Sequence, residues 1–155
     1  MDPRYTDRLL ATVKTAAAIG AAPAVEDPQT VLHRVYSAII LGDYEALRES
    51  MTEDVELVIS GFGPLDGTWR GVNDMVAATR KNFAEVESQQ PEIEGMISQG
   101  ENVAVFMRES GVLKTSGQAY SIRAVQWYQF SGGKIKRIEE IVASVGKDRS
   151  RSLTA

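Results

Sequence analysis

Few side chains in this sequence carry reactive chemistry of their own. It holds no cysteine and a single histidine, His33. Disulfides, thiolate nucleophiles and thiolate metal sites are removed together. A Ser-His-Asp triad or a multi-histidine metal site has little to draw on, so neither metal nor cofactor is expected. His33 falls beside Arg34 and Ser37, away from the apolar stripe of its helix, the setting of a surface histidine. Gly61-x-Gly63 lacks the Lys-Ser/Thr of a phosphate loop and reads as ordinary loop flexibility. Trp69, in Gly67-Thr68-Trp69-Arg70-Gly71, has two readings. It is a lid or stacking surface for a flat ligand, or a loop anchor packed under the next helix.

The elements that must position any polar group are clearer. Asp27 before Pro28 fits an N-cap with proline in the first turn. The helix that follows carries Leu32, Val35, Tyr36, Ile39 and Ile40 on one face. Gly42 stops it, and Asp43 caps a short helix with Tyr44, Leu47 and Met51. Thr52-Glu53-Asp54 reads as a turn into a strand at Val55–Ser60, followed by a glycine-rich loop from Gly61 to Gly71. A third helix is expected over Val72–Val86, with Val72, Met75, Val76, Thr79 and Phe83 as its buried stripe. After Pro91 the pattern turns to strands: Glu92–Ser98, Val103–Leu113, Tyr120–Phe130 and Ile135–Val145. Ser131-Gly132-Gly133-Lys134 is the strongest hairpin signal. Helices first and a strand meander after them make an α+β plan.

At 155 residues, 43% hydrophobic and 25% charged, the chain has the composition of one globular domain with a core. Its net charge of −4 gives no broad footprint for nucleic acid or an anionic membrane. Leu9–Ala24 ends in Ala22-Pro23-Ala24, like a signal-peptidase site. Lys14 interrupts that apolar run, and Asp2 and Asp7 sit where a positive leader belongs, so a cytoplasmic protein with an added N-terminal helix, Arg4–Ile19, is expected. The expected organisation is a helical extension over 1–27, one domain over 28–146 and a polar tail over 147–155.

The Gly42-Asp43 break, the helix, acidic turn and strand after it, Gly71 opening helix three, and the Gly133-Lys134-Ile135 hairpin occur in a telling order. From Pro28 to Val145 that order resembles the SnoaL-like branch of the nuclear transport factor 2 and ketosteroid isomerase superfamily. The resemblance implies a cone: a curved antiparallel sheet wrapped around the long helix, closed and apolar at one end and open at the other. It also implies a homodimer through the outer face of the sheet. The residues support a covered face independently. Ile122, Ala124, Gln126, Tyr128 and Phe130 alternate with Arg123, Val125, Trp127 and Gln129, so Val125 and Trp127 are left outside. The N-terminal helix is a second candidate to cover them.

In the active isomerases of the superfamily a tyrosine, an aspartate base and a protonated aspartate fall on positions held here by Val35, Ile59 and Gln126. Tyr36 is one residue away from that tyrosine position, so the ketosteroid isomerase mechanism is set aside. The chain from Val103 to Ile141 also resembles the limonene-epoxide hydrolases. That likeness places Glu109 and Glu140 on the two aspartate positions and Met107 on the arginine position. It therefore implies a carboxyl pair, Glu109 and Glu140, with Gln126 and Tyr128 as orienting hydrogen-bond groups. The opposing expectation puts either glutamate on the outer face, paired with Arg108, Arg123 or Arg137. Around the pair, Tyr36, Ile59, Trp69, Met107, Gln126 and Tyr128 are expected to contact a small hydrophobic molecule. Three functions fit: a cofactor-independent hydrolase or isomerase/cyclase, a non-catalytic binding module, or an interaction protein with its cone filled by Met107, Tyr36 and Phe130.

Overall fold

A computed structural model describes residues 25–63 and 65–145. The expected helix at Arg4–Ile19 and the tail from Lys147 lie outside the described residues. Helix α1, Pro28–Leu41, starts where the Asp27 carboxylate accepts the Thr30 backbone N–H, with Pro28 in the first turn where no N–H is needed. It ends at Gly42, whose φ of 69° is left-handed and costs glycine little. Asp43 then caps α2, Tyr44–Glu49, by accepting the Ala46 N–H. The remaining elements are β1 (Met51–Ser60), β2 (Gly67–Arg70), α3 (Val72–Glu85), β3 (Val86–Gln99), β4 (Asn102–Leu113), β5 (Gln118–Ser131) and β6 (Lys134–Val145).

The six strands form one curved sheet in the order β2-β1-β6-β5-β4-β3. All neighbours are antiparallel except β1 and β6, which run parallel. The expected antiparallel sheet is corrected at that pair, because the meander β3–β6 returns to β1 in β1's own direction. Three boundaries also move. Thr52-Glu53-Asp54 lies inside β1, where a register shift between Met51 and Glu56 absorbs the exposed acids. The glycine-rich loop contains β2, paired with β1 through Leu57↔Trp69. β3 begins at Val86, ahead of the expected Glu92, and carries Pro91 within it. It is an edge strand, where main-chain pairing to β4 holds polar residues and a proline is tolerated.

The closed end of the cone is a continuous apolar core. Val31, Leu32 and Val35 of α1 pack with Leu47, Val55, Val103, Val105 and Ile135, all essentially inaccessible. Each such side chain contributes about 1.5–3 kcal/mol by leaving water. β4 alternates cleanly, with Val103, Val105 and Met107 buried and Arg108 exposed. β6 does not alternate throughout. Ile135 and Ile138 are both buried, three residues apart, because the β5–β6 register shifts between Gln129 and Phe130. That bulge decides which face Glu140 occupies. Strict alternation from Ile135 would send it outward.

Candidate functional site

Above the core, the inner face of the sheet, α1 and α3 enclose a cavity of about 150 Å³. Ile59, Met107 and Ile138 supply apolar wall from the sheet, Tyr36 comes from α1, and Glu109 and Glu140 face the space from β4 and β6. Of the residues expected to form a site, Tyr36, Ile59, Met107, Glu109, Gln126, Tyr128 and Glu140 line this one cavity. Trp69 does not, which corrects the lid reading. In β2 it pairs with Leu57, folds over Gly67 and packs against the core cluster, because strand pairing takes its backbone along the sheet edge. Phe130 also belongs to the packed core and leaves the cavity open.

The polar groups are joined in two sets. In the first, Tyr36 Oη donates to Gln126 Oε1 at 2.5 Å, and Tyr128 Oη donates to the same oxygen at 2.8 Å. The two phenols lie 3.1 Å apart, with their rings edge to face. Gln126 Nε2 in turn donates to Glu140 Oε2 at 2.5 Å. This set exists because Gln126 and Glu140 are register partners and Tyr128 is two residues along the same face. In the second set, Tyr120 Oη donates to Glu109 Oε1 at 2.6 Å. Sequence reasoning did not single out Tyr120. Its signal was parity, since it shares a face with Ile122 and Gln126, two register positions from the Glu109–Ile122 pair. Its partner Gly111 makes the contact geometrically available: a Cβ there would lie 2.9 Å from the Tyr120 ring and hydroxyl.

The electrostatics follow from where the charges are. Burial pushes the Glu140 carboxyl up from its ordinary 4.5, against the lowering effect of the Gln126 hydrogen bond, and the nearby Glu109 pushes it further in the same direction. Burial likewise raises the Tyr128 phenol, with Glu140 adding to the rise. Burial and then the hydrogen bond to Glu109 raise Tyr120, so it stays a donor. Neither glutamate has an ion pair among the described residues. The arginines expected to compete for them are occupied on the outer face. Arg108 and Arg123 hold Glu94, and Arg137 holds Glu56 and Glu139. The Arg123 hydrogen bond is the main cause of the lowered Glu94 pKa. No group of three or more metal-binding side chains occurs among the described residues, and no helix there is long and apolar enough to cross a membrane.

A six-stranded sheet curved around a helix, with an apolar cavity at its open end and two carboxyls in the wall, defines a cone-shaped α+β protein. The chain belongs to the SnoaL-like domain family, which it matches over residues 32–138. Solved structures agree on the fold. An NTF2-like protein from Burkholderia xenovorans LB400 is 23% identical with a TM-score of 0.68, covering 78% of this chain and 92% of that one. A candidate SnoaL-like polyketide cyclase from Jannaschia sp. CCS1 is 16% identical with a TM-score of 0.68, covering 81% and 92%. AclR, a candidate hydroxylase from Streptomyces galilaeus, is 14% identical with a TM-score of 0.60, covering 77% and 80%. At these identities the likeness is one of fold. No match was found among the curated proteins compared.

Proposed function

We propose that this protein binds a small, mostly apolar molecule in the cone and acts on it by cofactor-independent acid–base chemistry, as a hydrolase or an isomerase/cyclase. Glu140 is the acid and Glu109 the base. One observation carries the reading: two glutamates from different strands face one apolar cavity without a basic partner among the described residues, and burial raises the pKa of Glu140. A carboxyl held neutral can give a proton to a heteroatom of the ligand. A second carboxylate, fixed by Tyr120, can take one from carbon or from water. Gln126 and Tyr128 orient the acid, and Tyr36 completes that set. Ile59 and Met107 supply apolar contact.

The test is turnover of a panel of small neutral cyclic enones and epoxides, followed by mass spectrometry, in wild type, Glu109→Gln and Glu140→Gln. The expected result is conversion lost by about 100-fold or more in either variant, the scale of positioned general acid–base catalysis, with binding retained. Conversion unaffected by both substitutions overturns the assignment. Ligands that bind without ever converting leave a binding module in place of an enzyme.

The partner reading is a second copy of the chain on the outer sheet face. Phe106, Val125 and Ile141 are cross-strand neighbours there, with Trp127 beside them, and Phe106, Trp127 and Ile141 are exposed. Sedimentation of wild type and Trp127→Asp tests it. A dimer that becomes a monomer supports the face, and a wild-type monomer at high micromolar concentration contradicts it.

A further inference from the structure

The cavity wall has a charge imbalance that its apolar surface does not explain. Among the described residues, every ionisable group lining the cavity is an acid or a phenol: Glu109 and Glu140, with Tyr36 and Tyr128. No lysine, arginine or histidine among them lines the space. Gln126 and Tyr120 satisfy one oxygen each of Glu140 and Glu109, and both donors are neutral. No hydrogen bond from the described residues reaches Glu140 Oε1 or Glu109 Oε2. The site therefore presents two carboxyl oxygens with spare acceptor capacity, set among apolar and aromatic side chains. Carboxyl oxygens facing an apolar cavity, with no cation beside them among the described residues, favour a ligand that brings the positive charge itself.

We propose that the cone is built for a compact lipophilic amine, whose ammonium group sits between Glu109 and Glu140 while its hydrocarbon ring fills the apolar wall. This rests on the reading of the cavity as the ligand site and adds the charge of the ligand; it does not depend on turnover. An ammonium supplies three N–H donors, which the two open carboxyl oxygens and the electron-rich faces of Tyr36 and Tyr128 can receive. A carboxylate or phosphate ligand would meet like charge and no cation. A neutral alcohol would find hydrogen-bond partners but leave the charge uncompensated. The volume of about 150 Å³ sets the size, since a dry apolar cavity of that order accepts a single six-membered ring.

The same geometry makes binding proton-linked. The groups facing Glu140 are Tyr36 from α1, Glu109 from β4, and Gln126 and Tyr128 from β5, with Ile59 its neighbour on β1. None of them is basic, and burial raises the Glu140 pKa, so the empty site holds its proton to a higher pH than a free carboxyl does. An ammonium arriving from water turns that acid into its carboxylate partner, and one proton leaves for solvent. The atoms balance: a protonated Glu140 and a free ammonium become an ammonium–carboxylate pair and a hydrated proton. Affinity for the amine then climbs with pH by up to about tenfold per unit while Glu140 is still protonated. It stops climbing once Glu140 is ionised in the empty protein, and falls only as the free amine loses its own proton near ~10.4. A neutral ligand shows neither proton release nor that climb.

Calorimetry of the full chain with cyclohexylamine, cyclohexanol and cyclohexanecarboxylate, at pH 5.0 and pH 8.5 in buffers of different ionisation enthalpy, tests this directly. The expected result is binding of cyclohexylamine tenfold or more tighter than cyclohexanol at the higher pH, no binding of the carboxylate, and a proton release on amine binding that is larger at the lower pH than at the higher. Glu140→Gln, nearly isosteric, should remove the proton release and about tenfold or more of the amine affinity, a larger loss than cyclohexanol shows. Cyclohexanol binding as tightly as the amine, or amine binding without proton release, overturns the inference and leaves the cavity reading standing. If none of the three binds, both readings fall.

Discussion

The two ends of the cone use the same strands and the same inward face, yet they solve opposite problems. At the closed end, Val103 and Val105 of β4 and Ile135 of β6 meet α1 and leave almost no accessible surface. A few residues further along, the same faces of β4 and β6 carry Glu109 and Glu140 around open space. Apolar side chains need only density, so the core end is assembled from interchangeable methyls. Each polar group at the cavity end needs a named partner, so Gln126, Tyr128 and Tyr120 are tied to particular register positions. Dense packing resides at one end, and the partnered polar groups reside at the other, around unfilled space.

The largest effect should come from breaking the closed end. Leu32→Ala, at a fully buried site, is expected to cost about 2–5 kcal/mol in urea unfolding. Met107→Ala, whose side chain already borders the cavity, should cost less, because part of its surroundings is unfilled. Equal costs would erase the contrast between the ends.

Gln126→Leu sharpens the same contrast from the polar side. It leaves Glu140 Oε2 and two phenols without their shared partner, at a cost of about 1–3 kcal/mol. Because the Gln126 hydrogen bond lowers the Glu140 pKa, its loss should raise that pKa further. A fall in the Glu140 titration midpoint, followed by carboxyl NMR, would contradict the network.

The third effect is a pH dependence. A carboxyl whose folded pKa lies above its unfolded value binds its proton more tightly in the folded state, so stability falls as pH rises from the unfolded value near 4.5 up to the raised folded one. Glu140→Gln removes that slope. Thermal unfolding at pH 5 and pH 8 should show the variant losing less stability than wild type over that interval, and parallel curves would argue against the shift. The smallest effect belongs to the outer face, where Arg123→Ala breaks a solvent-exposed pair with Glu94 and should leave the unfolding midpoint close to wild type.

The closed end was legible in the sequence because its signals are periodic. The Asp27-Pro28 start, the Gly42 stop and the alternation of β5 each follow from a local rule. β2 and the first half of β3 were not legible, for a shared reason. Both are short or polar edge segments held by main-chain pairing, which leaves little hydrophobic pattern. Trp69 was misplaced because a loop was expected where β2 forms. At the cavity, Glu109 and Gln126 follow from strand parity. The facing of Glu140 depends on the bulge at Gln129–Phe130, which no residue type announces. Tyr120 escaped notice because what frees its path is the missing side chain of Gly111.

The central claim is that Glu140 has a raised pKa and shares one cavity wall with Glu109. The most direct measurement is a titration of carboxyl-labelled glutamate by carbon-13 NMR, with the Glu140 resonance assigned from Glu140→Gln. The midpoint is expected clearly above 4.5, and it should fall when Glu109 is replaced by glutamine, because a neighbouring negative charge is removed. A Glu140 midpoint at or below 4.5, unmoved by Glu109→Gln, would contradict it.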